Sequence, residues 1–268
     1  MSYPLAVPPL AQARFRPEFI WDNRDVFLSG VQLTVFIAVI AFALAIVLGL
    51  AVALLRMSKS RLITPIMAAY INIFRAIPLL VFVLFVYYGI AIQFELTISA
   101  IQAGILALTL QYSAWLGEIF RGGIQAVSDG QRQAAMSVGM SRPQVFFRVV
   151  LPQATRIVIP PMGNMFIGMI KDSSLVYIIG VPELLRVSNL LANSTFRYFE
   201  VYLATVLMYL ILTTVVYFGV KYLEKRYALV DVLTTKVRSP FARRRSGQLL
   251  RLQEEVKAGR GAKSPVEP

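Results

Sequence analysis

The sequence predicts an all-α, polytopic membrane protein with five transmembrane helices. Of its 268 residues, 57% are hydrophobic and only 15% are charged, whereas a soluble domain carries roughly a quarter charged residues. The mean hydropathy is +0.65. Several apolar runs exceed the ~18 residues that are needed to cross the hydrocarbon core of a bilayer. The chain is therefore expected to reside in a membrane.

Loop charges give the order and orientation of the spans, because Lys and Arg concentrate in cytoplasmic loops. Arg56, Lys59 and Arg61 directly follow the first span and place that loop in the cytoplasm and the N-terminus outside. Residues 118–157 carry five arginines against two acidic residues, and a further basic group closes the last span. The spans are expected at residues 31–55, 63–91, 96–116, 158–181 and 201–220.

Three segments follow from this topology. Residues 1–29 form an external or interfacial segment with Trp21 as a plausible anchor, residues 30–229 the transmembrane domain, and residues 230–268 a basic cytoplasmic tail. The four prolines and scattered charges of residues 1–29 do not resemble a cleavable signal peptide. The tail either rests on anionic lipid headgroups or is simply solvated.

Composition excludes several functions. The net charge of +13 is explained by cytoplasmic loops rather than by binding of nucleic acid. The chain contains neither Cys nor His, which removes disulfides, thiolate chemistry, His-based catalysis and His metal sites. It also lacks the G-x-x-x-x-G-K-[ST] loop that cradles nucleotide phosphates. We expect no catalytic residue, no metal and no cofactor.

The most informative segment, residues 131–152, reads QRQAAMSVGMSRPQVFFRVVLP. Residues 131–138 suit a short helix, and Gly139 stands where a left-handed C-terminal cap is wanted. Ser141 can cap a second helix with Pro143 in its first turn, and Pro152 is expected to end or kink that helix. Its apolar side consists of Val145, Phe146, Val149 and Val150. The segment is either a docking element for a soluble partner or an amphipathic loop lying on lipid.

The spacing of seven residues in this segment carries a family resemblance: Gln133, Ala134, Ala135, Gly139, Val149, Leu151 and Pro152. Three further stretches occur in the matching order: FRAIPLL at 74–80, EIFRGG at 118–123 and KDSSL at 171–175. Together they resemble the polar amino-acid permease group, the membrane-spanning subunits of ABC-type amino-acid importers. The resemblance covers about residues 29–229. Gln133 stands where that family usually has Glu.

The resemblance implies a type I ABC importer fold in the bacterial inner membrane, with the N-terminus outside and the C-terminus in the cytoplasm. It implies that the seven residues couple the chain to a separate ATPase, and that an external binding protein delivers the solute. A second permease subunit, identical or different, completes the membrane part. The implied solute is a polar amino acid, and residues 196–200 faintly resemble the glutamate/aspartate branch.

Three ionisable residues inside the predicted spans are candidates for the substrate pathway, since such groups usually face protein or water. Arg75 can attract a substrate carboxylate, tie helices together, or lie nearer the cytoplasm than the predicted span suggests. Lys171 and Asp172, about 100° apart on a helix, mark either a break that lines the pathway or a contact between subunits.

Two other classes of protein are the alternatives. A self-powered secondary transporter or channel is expected to show an internal repeat, which is not visible in the sequence. A membrane enzyme needs convergent acid–base groups or metal ligands, which the composition disfavours.

Overall fold

The computed structural model describes residues 15–227, and every regular element within that range is helical. The expectations for the tail and for residues 1–14 lie outside the described residues. The chain divides into two compact units, residues 1–224 and 225–268. The helices are α1 (Pro17–Asp22), α2 (Arg24–Arg56), α3 (Ile63–Ala76), α4 (Leu79–Leu84), α5 (Ala91–Gln93), α6 (Ala100–Ala126), α7 (Asp129–Ser137), α8 (Arg142–Val145), α9 (Leu151–Asp172), α10 (Leu184–Thr195) and α11 (Tyr198–Tyr227).

Three irregular helical turns connect these elements. A π-helical turn (Phe85–Ile90) joins α4 to α5, and a second one (Phe146–Val150) joins α8 to α9. A 3-10 helix (Ser173–Ile179) follows α9.

Helix α6 is the centre of the bundle and packs against α2, α3, α4 and α9. Its buried polar side chains are satisfied by neighbouring helices. Thr109 Oγ1 donates to the carbonyl of Ala41 at 3.3 Å, and Tyr70 Oη lies 2.7 Å from Ser113 Oγ. Because protein rather than lipid surrounds these groups, a membrane helix can carry them.

The helices are compatible with the predicted five spans. By length and composition alone, α2 and α11 qualify as spans among the described residues, and up to four spans result if each of two bent helix pairs counts as one. Helix α6 has 27 residues, which is long enough for a span, but it is not among the helices that qualify by composition. It extends ten residues beyond the predicted end of span three, and its C-terminal end packs on the segment that follows.

The second predicted span is not a continuous helix. Helices α3 and α4 meet at 104°, and Ile77 between them is extended, with φ −79° and ψ 129°. Pro78 explains the break, because a proline disfavours the helical conformation of the residue before it. Gln111 Nε2 donates to the freed carbonyls of Phe74 at 3.2 Å and Ile77 at 2.6 Å. The break therefore leaves these two carbonyls satisfied.

Span four also differs from its prediction, since α9 begins at Leu151 and not near Val158. Pro152 does not end the helix: it lies in the first turn of α9, directly after the π-helical turn. A π turn accommodates the missing N–H and the bulk of a proline ring at this position. After Asp172 the helix changes to a 3-10 helix, which fits the first of the two alternatives stated for Lys171 and Asp172.

Helix α10 lies in a segment that the sequence predicted as a loop. Its N-cap is Glu183, which is fully buried. The carboxylate accepts hydrogen bonds from the backbone N–H groups of Leu185 and Arg186, both at 2.8 Å, and from Tyr209 Oη at 3.0 Å. Helix capping by a carboxylate stabilises the first turn, so Glu183 anchors α10 to α11.

Helices α2 and α6 approach closely at Gly49. A Cβ at this position lies 2.9 Å from Leu116 Cβ and 3.0 Å from the carbonyl oxygen of Ser113. Only a residue without a side chain permits this distance, as in other close helix pairs of membrane proteins.

We predict that Gly49→Val lowers the thermal unfolding temperature of the detergent-solubilised protein, because overpacking costs about 1–3 kcal/mol. Gly122→Val is the matched control, since nothing lies within 4 Å of a Cβ at that position in the same bundle. Equal unfolding temperatures for the two variants would contradict the close packing of α2 on α6.

Candidate functional site

The predicted helix–elbow–helix is present, and Gly139 is its elbow. Helix α7 ends at Ser137, and Gly139 follows with φ +84°. The turn is closed by hydrogen bonds from Val138 N to the carbonyl of Ala134 at 3.3 Å and from Met140 N to that of Ala135 at 3.2 Å. A left-handed residue after the last helical turn is the usual place for glycine, so the predicted cap is confirmed.

The second helix begins as predicted at Ser141. Ser141 and Gln144 form a capping box, in which the Ser141 N–H donates to Gln144 Oε1 at 2.8 Å. Pro143 lies in the first turn, where its missing N–H has no helical partner to lose. The two helices are thus held by local hydrogen bonds on both sides of the elbow.

A small apolar cluster, which we call the elbow cluster, fixes this element to the bundle. Ala135 of α7 and Val145 and Val150 of the following helix are buried together with residues at the ends of α6 and α9, namely Ile124, Val127 and Ala154. Phe146 and Val149 pack against the cluster, so the predicted apolar side is confirmed. This side is therefore covered mainly by the protein's own helices.

Apart from Gly139, which is the elbow, the seven motif residues form three pairs. Gln133 and Ala134 are exposed on α7, and the Gln133 side chain has no hydrogen-bond partner within residues 15–227. Ala135 and Val149 belong to the elbow cluster or pack on it. Leu151 and Pro152 begin α9, where Leu151 lines an apolar cavity. Sequence reasoning missed two apolar residues that the element also exposes, Val138 at 78% and Phe147 at 64%.

Arg75 lies at the C-terminal end of α3, outside the core. Its guanidinium carbon is 4.1 Å from the ring centroid of Trp115, a distance typical of a cation–π contact. Trp115 precedes Glu118 by three residues, and Glu118 pairs with Arg56 at 3.0 Å and Arg121 at 2.6 Å. Arg56 ends α2. Arg75 is therefore close to the polar group formed by Glu118, Arg56 and Arg121.

Lys171 and Asp172 point in different directions at the end of α9. Lys171 is exposed, whereas Asp172 accepts a hydrogen bond from Tyr112 Oη at 2.7 Å. Tyr112 is only 6% exposed and had no signal in the sequence, where it is one aromatic residue in an apolar run. Within residues 15–227 no hydrogen bond or ion pair joins Arg75 to Lys171 or Asp172.

These features define a class: a helical membrane protein with a helix–elbow–helix packed on the end of its bundle and a polar break inside that bundle. Comparison with known proteins specifies it further. Residues 45–229 match the family described as binding-protein-dependent transport system inner membrane component. The chain belongs to this family.

Two transport permeases are similar in sequence to this chain over most of its length. The probable glutamine ABC transporter permease GlnM of Bacillus subtilis (strain 168) is 39% identical over 207 residues, which are 77% of this chain and 95% of the relative. The glutamine transport system permease GlnP of Escherichia coli (strain K12) is 32% identical over 212 residues, 79% of this chain and 97% of the relative.

Solved structures show the same fold. A crystal structure of an amino acid ABC transporter with histidines has a TM-score of 0.75 and 35% identity, covering 80% of this chain and 99% of its own. An inward-facing structure of the MetNI methionine ABC transporter has a TM-score of 0.66 at 18% identity, with the same coverage, and supports the fold alone.

The comparisons confirm the predicted family and the type I ABC importer fold. The chain is an inner-membrane permease subunit and not an enzyme in itself. Permeases of this family work with an ABC ATPase and a solute-binding protein.

We predict that a cysteine at position 171 reacts with a water-soluble methanethiosulfonate reagent in the assembled transporter, because a charged Lys171 side chain in a membrane bundle faces water. Ser173→Cys is the matched control, since Ser173 is fully buried two residues further on. The chain has no native Cys, so any label that mass spectrometry detects on it is attached to the introduced cysteine. An unreactive Lys171→Cys variant would contradict a water-filled pathway at this position.

Proposed function

We propose that the chain is the transmembrane subunit of an ATP-driven importer for a polar amino acid, and that α7, Gly139 and α8 dock on a separate ATPase. The observation that carries this proposal is the elbow cluster. It holds the apolar side of the element inward and leaves Gln133, Ala134, Val138 and Phe147 exposed. A rigid element with an exposed, partly apolar face is suited to fill a groove on a partner.

In this proposal, a movement of the elbow that the ATPase causes is passed to the bundle through α9. From Arg142 to Asp172 the chain is helical without interruption, including the π turn, and α9 alone is about 33 Å long at 1.5 Å per residue. Pro160 and Pro161 lie inside α9, and each removes a backbone N–H donor from the helix. We propose that a displacement of the elbow is nevertheless passed along α9 to the end that carries Lys171 and Asp172. We assign these two residues, with Arg75, to the substrate pathway. The Tyr112–Asp172 hydrogen bond is a contact that such a movement would rearrange.

The solute is the least constrained part of the proposal. Relatives named for glutamine and a structural neighbour named for amino acid transport support a polar amino acid. The likeness to the glutamate/aspartate branch makes an acidic amino acid the second candidate. Uptake of labelled glutamine by the reconstituted importer, measured beside uptake of labelled glutamate and aspartate, discriminates between the two candidates. Uptake of none of the three would contradict both.

The proposed assembly contains two permease subunits, either identical or different, two ATPases and a periplasmic binding protein. Residues 30–229 form the transmembrane domain, with the N-terminus outside and the C-terminal segment, residues 230–268, in the cytoplasm. The loop charges support this orientation. A reporter fused at Glu95 tests it, and a cytoplasmic signal there would contradict it.

We predict that Gly139→Val weakens retention of the ATPase subunits about tenfold or more in co-purification. Placing a β-branched residue at φ +84° costs about 1–2 kcal/mol, and nothing lies within 4 Å of a Cβ there, so the effect acts on the backbone of the elbow. Gly139→Asn is expected to retain most binding, because Asn tolerates the left-handed conformation.

Gly219→Val is the control for this experiment. Gly219 lies in α11, outside the proposed docking element. Nothing is within 4 Å of a Cβ at that position either, but its φ is not positive. Normal retention of the ATPase by Gly139→Val would contradict the docking role of the elbow.

A further inference from the structure

Two adjoining cavities lie on the bundle side of the elbow. The first opens between three spans, has an empty volume of about 540 Å³ and is almost wholly apolar. The hydroxyl of Thr155, on its wall, donates to the carbonyl of Leu151 at 2.8 Å and is not available to a ligand. The other residues that define the cavity include Ile46, Leu50, Phe120, Ile124 and Met162.

The second cavity, with an empty volume of about 660 Å³, lies beside the elbow cluster and is lined by two arginines. Arg132 donates to the carbonyl of Ile124 at 2.6 Å and pairs with Asp129 at 3.4 Å. Arg142 is exposed, and its side chain makes no hydrogen bond or ion pair within residues 15–227. Ile124 lines both cavities, so an apolar groove and a cationic site are neighbours.

We propose that these cavities together bind one anionic phospholipid of the cytoplasmic leaflet. One acyl chain lies in the groove between α2, α6 and α9, and the phosphate lies at Arg142 and Arg132. A water-soluble solute has no polar partner in the groove, whereas an acyl chain needs none. The guanidinium of Arg142 is the group that a phosphate recognises best, and its charge is not compensated by any described residue.

The proposed lipid site lies between the end of α2 and the elbow cluster. Met57, which directly follows α2, and Val145 and Val150 of the elbow cluster all line the second cavity. A lipid bound there contacts both the spans and the helix–elbow–helix. Its binding requires that the spans lie in a bilayer, but does not require that the element docks on an ATPase.

The test uses the complete importer in nanodiscs that contain phosphatidylglycerol with a photoreactive diazirine in one acyl chain. Peptide mapping is expected to place the label on residues such as Phe120 or Met162. Arg142→Gln is expected to lower this labelling at least fivefold, as is Leu50→Trp, which fills the groove from a half-exposed position. Arg148→Gln is the matched control, because it removes the same charge from the same segment but does not line the cavity.

Three results would overturn the proposal. Equal labelling by the corresponding phosphatidylcholine, whose choline neutralises the phosphate, would show that a net anionic headgroup is not recognised. Displacement by excess glycerol 3-phosphate would show that a free anion, not a lipid, is the ligand. Labelling that appears only after the ATPase subunits are removed would show that a protein partner occupies the site. Each result leaves the Gly139 experiment unaffected, so the two proposals fail separately.

Discussion

The packing of Ala135, Val145 and Val150 against the ends of α6 and α9 is the contact on which the rest of the structure depends. Burying a valine side chain contributes about 1.5–3 kcal/mol, so two valines and an alanine stabilise a short segment that has few other contacts with the bundle. Without this burial, the apolar side of residues 142–150 would be free to lie on lipid, and the helix–elbow–helix would be an ordinary amphipathic loop. With it, the polar and small residues of α7 face outward in a defined orientation.

The irregular parts of the helices are compatible with this packing. At the break near Pro78, the side-chain amide of Gln111 donates hydrogen bonds to the two backbone carbonyls that the break leaves without helical partners. Before Pro152, a π turn absorbs the proline and keeps α8 continuous with α9. A membrane bundle tolerates such departures only where side chains or the helix itself satisfy the backbone. The result is one long helical path from the elbow to the Tyr112–Asp172 contact.

Local features of the fold were predictable from the sequence, because glycine, proline and capping residues act over a few positions. Gly139, the Ser141 cap and the change after Asp172 belong to this group. Contacts between distant segments were not predictable. Nothing in the sequence distinguishes Tyr112 from other aromatic residues, or marks Glu183 as a buried cap rather than a loop charge. Helix α10 was missed for the same reason, since a span-by-span reading treats polar residues between spans as a loop.

The central claim is that the helix–elbow–helix and the start of α9 form one rigid unit. The chain has no native Cys, so spin labels at Ser137→Cys and Ile157→Cys, both exposed positions, report their separation by double electron–electron resonance in the complete importer. The account predicts one narrow distance distribution that is the same without nucleotide and with ATP trapped. A broad distribution, or a shift of several ångströms between the two states, would contradict it.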